Sequence, residues 1–145
     1  MPDAVVSSPV AAARRILVVE DEALIAESLT EIITDMGFEC VPAFDVATGL
    51  QMATTEVVDA AILNLVIQGG TAYGVAAILA SRNIPFAFAS GVPHDGLESD
   101  WKNRPYIDKP YSEDDIRSLL QQLIPHHNWT TEVATASVNP GEGSP

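Results

Sequence analysis

The sequence has 145 residues, 47% of them hydrophobic and only 6% aromatic, which suits one ordinary globular core and leaves no length for a second. Its 20 acidic residues outweigh 7 basic ones for a formal charge of −13, with no Lys or Arg between Arg15 and Arg82, and such a surface argues against nucleic acid and anionic membrane as partners. Cys40 has no second cysteine to pair with, no stretch approaches the ~18 apolar residues that span a bilayer, and Arg14-Arg15 follow the apolar N-terminal residues instead of preceding them as a secretory signal requires, so a cytoplasmic location is expected.

Residues 1–13 are small and proline-punctuated and read as a flexible arm. Ile16-Leu17-Val18-Val19 is a continuous apolar run that empties into Glu20-Asp21-Glu22, the pattern of a strand buried on both faces. Leu24, Ile25, Leu29, Ile32, Ile33 and Met36 then recur at helical spacing, and Gly37 is the expected stop. The alternation continues with a strand over Phe38–Phe44 and a helix capped by Asp45 and carrying Val46, Leu50 and Ala53. Asp59 introduces a central strand, Ala60 to Leu65, with Asn64 near its C-terminal end; Gly69-Gly70 reads as a turn, not as a phosphate-binding glycine signature.

A third helix is expected over Ala72–Ala80 and a fourth strand over Ile84–Ala89, with Pro85 at its start where it removes least hydrogen bonding. Gly91, Pro93 and Gly96 allow only a short or frayed fourth helix between 91 and 102. Pro105–Asp108 is a brief fifth strand before Lys109-Pro110, and Ser112 with Asp115 resembles a capping box for a helix striped by Ile116, Leu119, Leu120 and Leu123. Pro125 ends it, and residues 126–145 read as a flexible tail in which His126-His127 lack further metal ligands. Five strands alternating with helices predict an α/β, doubly wound, five-stranded parallel sheet over residues 14–125.

On this scheme Glu20, Asp21, Asn64, Ser90 and Lys109 all fall at C-terminal ends of strands, where the connecting loops of an open α/β sheet form a crevice. Two carboxylates with an amide oxygen make a hard-oxygen site suited to Mg²⁺, Lys109 adds a point charge for an anionic group, and Ser90 adds a hydroxyl.

The runs Val18-Val19-Glu20-Asp21-Glu22, Ile62-Leu63-Asn64, Phe88-Ala89-Ser90-Gly91 and Lys109-Pro110 together resemble the receiver domain of bacterial response regulators. Pro85-Phe86-Ala87-Phe88-Ala89-Ser90-Gly91 is similar to a subgroup, often single-domain, with a Pro-Phe-x-Phe-Ala-Thr-Gly signature. The resemblance implies a flavodoxin-like fold with strand order 2-1-3-4-5, Mg²⁺ held by Glu20, Asp21, residue 64 and the Val66 carbonyl, and phosphoryl oxygens held by Ser90 and Lys109. It also implies a switch aromatic at Tyr106, a cis bond before Pro110, and a sensor histidine kinase or phosphotransfer protein as partner. A downstream protein target and a homodimer belong to the same expectation.

Asn64 stands where that family has its phosphoacceptor aspartate. An amide is not a nucleophile toward phosphorus, so ordinary aspartyl phosphorylation at residue 64 is excluded, and Asp59 lies about 16 Å away at the other end of the strand. Losing that carboxylate should weaken Mg²⁺ binding and relieve repulsion among the acids. The expected function is therefore that of a receiver-like signalling protein, not an enzyme, acting through protein contacts. It is either a natural pseudo-receiver or a silenced mutant; the alternative is a normal Mg²⁺-dependent phosphoacceptor regulator once residue 64 is Asp. Glu27, Glu31 and Asp35 form a like-charge row on the first helix, and Glu27 and Glu31 are the expected docking residues for a basic kinase surface.

Overall fold

The structure is a computed structural model that describes residues 14–127. The arm expected over 1–13 lies outside these residues, as does the tail from 128 onward. The first strand, β1 (Arg15–Val19), has both faces covered because Ile16 and Val18 point to one side and Leu17 and Val19 to the other, all of them buried. β2 (Glu39–Ala43) and β3 (Ala60–Leu63) flank it in parallel, with Ile16 opposite Cys40 and Ala60. Phe86–Ser90 (β6) pairs with β3, and Tyr106–Asp108 (β7) pairs with β6, giving the order β2-β1-β3-β6-β7. Counted over these five strands, that is the expected 2-1-3-4-5.

Helices α1 (Ala23–Asp35) and α4 (Glu113–Leu123) cover one face, where Leu29, Ile33, Ile116 and Leu120 pack on Ile16, Val18, Ile62 and Ala89. Helices α2 (Val46–Thr55) and α3 (Tyr73–Ser81) cover the other, where Ala53, Val75 and Leu79 meet Leu17, Val19, Leu63 and Phe88. The caps follow their chemistry. Asp45 accepts a hydrogen bond from Thr48 N at 2.7 Å, which holds its carboxyl below the usual carboxylate range. Ser112 and Asp115 form a reciprocal capping box.

Several expectations need correction. No fourth α-helix forms between 91 and 102; Pro93 and the glycines leave two single-turn 3₁₀ segments, His94–Gly96 and Ser99–Trp101, so the described residues hold four α-helices. The strand after Asp59 ends at Leu63, and a small antiparallel hairpin follows, β4 (Val66–Ile67) and β5 (Gly70–Thr71), turning at Gln68-Gly69 with Gly69 at φ 97°. Leu24 is 79% exposed because it lies about 200° around α1 from buried Ala26, and Phe44 is 49% exposed one residue past the end of β2. Lys109-Pro110 is cis. Among the described residues no helix is long and apolar enough to cross a membrane.

Candidate functional site: a cleft at the ends of the strands

Four chain segments meet at the C-terminal edge of the sheet because parallel strands deliver all their exits to one side. Asn64 follows β3, with its backbone N–H donating to Val19 O at 2.9 Å, so it lies beside the exit of β1. Lys109 follows β7, with its backbone N–H donating to Ser90 O at 3.0 Å, which ties the exits of β6 and β7 together. The result is an open cleft of about 350 Å³ lined by Asp21, Glu22, Asn64, Val66, Ser90 and Lys109, together with Gly91 and Val92.

Glu20 forms the buried floor, only 2% exposed, and both its oxygens face donors of the chain itself. Lys109 Nζ lies 2.7 Å from Oε1. Oε2 accepts from Glu22 N at 3.0 Å and from Asn64 Nδ2 at 3.2 Å. A buried carboxylate is tolerable only when paired and hydrogen-bonded, and here it is both. Asn64 Nδ2 donates a second bond, 3.2 Å long, to Val66 O. Its two N–H groups therefore join Glu20 to the first residue of β4.

The remaining expected residues fall where the strand scheme puts them. Ser90, 1% exposed, accepts from Val92 N at 3.2 Å, so its hydroxyl orders its own loop. Tyr106 donates its hydroxyl to Ser90 O at 3.4 Å, and its ring makes an edge contact with His94 at 5.4 Å. Partial burial, with Asp108 alongside, raises the Tyr106 pKa. Glu27 and Glu31 are exposed on α1 and line no part of the cleft.

Two participants were not singled out from the sequence. Glu22 lies 3.5 Å from Lys109 Nζ, a contact across 87 positions that no local pattern signals. Tyr111 follows the cis bond and has a buried hydroxyl without a hydrogen-bond partner among the described residues. Burial first, then the nearby charges of Glu20 and Glu22, push its pKa up. It lines a neighbouring groove of about 480 Å³ with Leu24, Ile25, Ser28 and Pro110.

The donor types at the cleft suit a hard cation, although both oxygens of Glu20 and the carbonyl of Val66 are already engaged by an ammonium and an amide of this chain. Among the described residues no group of three or more His, Cys, Asp or Glu side chains is placed to hold a metal ion.

No protein-family model matches the chain, and no curated protein is similar to it in sequence. Solved structures do match. SdrG from Sphingomonas melonis is 37% identical, with a TM-score of 0.68, over 77% of this chain and 97% of SdrG. The response regulator TrrA from Thermotoga maritima, solved in complex with Mg²⁺–BeF, is 25% identical, with a TM-score of 0.68, over 76% of this chain and 98% of TrrA. A CheY-like response regulator receiver domain protein from Methanospirillum hungatei shares the fold at 19% identity, with a TM-score of 0.72, over 79% of this chain and 96% of its own. Similarity of this degree across almost all of SdrG, joined to the fold held in common with the receiver domains, shows that the chain belongs to the receiver-domain family of response regulators.

Proposed function

We propose that this receiver domain signals by protein contact and takes no phosphoryl group on residue 64. The observation that carries the reading is the side chain of Asn64, which ends β3 as a donor to Glu20 Oε2 and Val66 O, both at 3.2 Å. An amide in that position offers no nucleophile, and its N–H groups oppose entry of a cation. Mg²⁺, which is present with BeF in the TrrA complex, binds weakly here through Glu20, Asp21, Asn64 and the Val66 carbonyl.

In this reading Ser90, Tyr106 and Lys109 keep the places of phosphoryl-binding and switch residues without a phosphoryl group to read. The partner is a sensor histidine kinase or phosphotransfer protein in the cytoplasm that docks on the α1 face carrying Glu27 and Glu31. Control then comes from binding, competition or self-association, and the output is a contact with a downstream protein. The second reading, favoured by the presence of Asp21, Ser90 and Lys109 in one cleft with Glu20 against Lys109, is a regulator that Asn64→Asp restores to Mg²⁺-dependent phosphoryl acceptance.

The test is to incubate the protein and Asn64→Asp with Mg²⁺ and a small-molecule phosphodonor and compare intact masses. No adduct on the parent is expected. A base-labile phosphoryl adduct on Asn64→Asp alone supports the second reading of the cleft's history. An adduct on the parent that maps to residue 64 overturns the first.

A further inference from the structure

The opposite end of the sheet carries a cation whose charge the fold leaves uncompensated. Arg14, Arg15, Lys109 and Arg117 each lie within 4.0 Å of a carboxylate, Arg82 donates to the carbonyls of Ala53 and Glu56, and Lys102, with no carboxylate partner among the described residues, is exposed to solvent. Arg104 has no carboxylate partner among the described residues, in a chain with 20 acids and 7 bases. It is half-buried all the same. Its guanidinium carbon sits 4.5 Å from the ring centre of Phe86 and 5.9 Å from that of Trp101.

That packing holds the guanidinium against aromatic rings, and none of its N–H groups donates to another described residue, so the fork that makes the bidentate bonds of arginine is available to a ligand. Arg104 also lines a cavity of about 270 Å³ with Asn83, Ala80, Ile84 and Pro85. The backbone N–H groups of this wall are spent: Asn83 N on Ala80 O, Ile84 N on Leu79 O, Arg104 N on Trp101 O, and Pro85 has none. Recognition of a polar ligand therefore falls to two side chains, the fork of Arg104 and the amide of Asn83, above an apolar floor.

The geometry points to a binding pocket for a carboxylate on a short apolar stem. A planar carboxylate matches one guanidinium bidentately, and Ala80, Ile84 and Pro85 offer its stem a dry wall. The net charge of −13 repels phosphate and other multiply charged ligands while leaving a single locally paired charge tolerable. The pocket opens beside the start of β6 whereas Ser90 ends it, so the two sites lie a strand length apart and this one does not depend on the reading of the cleft. The same carboxylate chemistry is offered by a free small acid and by an Asp or Glu side chain of a peptide.

The experiment is an NMR titration of the full chain at constant ionic strength, following Arg104 Nε–Hε and the Asn83 side-chain amide. Sodium butyrate is one probe, N-acetylglutamate N-methylamide is the second, and butyramide is the neutral control. Saturating shifts with either carboxylate and none with butyramide are expected, and the tighter of the two identifies the source. Arg104→Gln should weaken binding by at least about tenfold, the loss of one charge-assisted hydrogen-bonding partner. Asn83→Gly, at a position with φ 60° that glycine accepts freely, should keep the fold and weaken binding roughly threefold. Shifts that rise without saturating, that butyramide reproduces, or that persist in Arg104→Gln would overturn the assignment, and should Arg104→Gln fail to fold, undiminished affinity in Asn83→Gly does so instead.

Discussion

Replacing Asn64 by Asp should make the stability of this domain depend on a cation that the parent does not need. The parent side chain donates one bond to a buried carboxylate and one to a backbone carbonyl, each 3.2 Å long. A hydrogen bond to a charged partner contributes about 1.5–3 kcal/mol and a neutral one about 0.5–1.5 kcal/mol, and Asn64→Asp forfeits both. It also sets a carboxylate beside Glu20, where like charges ~4 Å apart repel by roughly 4 kcal/mol at an effective dielectric near 20, an upper bound because the side chain can rotate toward water. The net expectation is a loss of at least about 2 kcal/mol at neutral pH, the figure with the repulsion fully relieved, seen as a fall in Tm of at least roughly 8 °C for a domain of this size. Excess Mg²⁺ at ~100 times its Kd would return about 2.7 kcal/mol to Asn64→Asp and little to the parent. Thermal unfolding followed by circular dichroism, with MgCl₂ against NaCl at matched ionic strength, reads both effects. The reasoning is refuted if Asn64→Asp without Mg²⁺ is as stable as the parent, or if the parent gains as much from Mg²⁺ as the variant.

Gly49 and Gly91 should respond oppositely to alanine. A Cβ at Gly49 would lie 3.1 Å from Val75 Cγ2 and 3.4 Å from Val19 Cγ1, where α2 crosses α3, so urea unfolding should show a loss of about 1–3 kcal/mol offset in part by better helix propensity, whereas a Cβ at Gly91 meets nothing within 4 Å and its variant should stay within about 0.5 kcal/mol of the parent. Asp45 has its pKa lowered in the folded state by the bond from Thr48, so its contribution is present above the ordinary carboxylate pKa and is lost as pH falls through the folded value; Asp45→Asn should flatten the acid limb of a stability-against-pH curve, and an unchanged limb would remove the cap from the account. Reversing Glu27 and Glu31 to Lys should weaken binding to the cognate kinase at low salt and leave high-salt affinity nearly unchanged, and equal affinities at low salt would move the docking face elsewhere.

What the sequence disclosed depended on how densely each element was written. β1, β3 and β6 are apolar on both faces, so their runs stand out without any alternation; Glu20 and Asn64 directly follow the first two, and Ser90 ends the third. The caps at Asp45 and Ser112 were equally plain, because their partners lie three residues away. The hairpin Val66–Thr71 escaped notice because strands of two residues have no period, and β5 is wholly exposed. The segment after Ser90 held too many helix breakers for a helix, but nothing in it foretold that Tyr73 and Trp101 would stack at 6.4 Å, or that Tyr73 OH would accept from Glu98 N at 3.0 Å. At the cleft, residue types and strand ends were legible. The direction of the Asn64 amide was not, since it is set by Glu20 and by the carbonyl of Val66.

The hairpin links residue 64 to a part of the fold outside the cleft. Its first residue is held by the Asn64 amide through Val66 O, and its turn accepts a bond from Val46 N at Gln68 O, 3.0 Å long, at the first residue of α2. Gly69 lies close against Val46 as well, where a Cβ would come within 3.4 Å. The side chain at the end of β3 and the first residue of α2 are therefore tied to the start and the turn of one short hairpin, through Val66 O and Gln68 O, by a chain of contacts that includes neither Ser90 nor Tyr106.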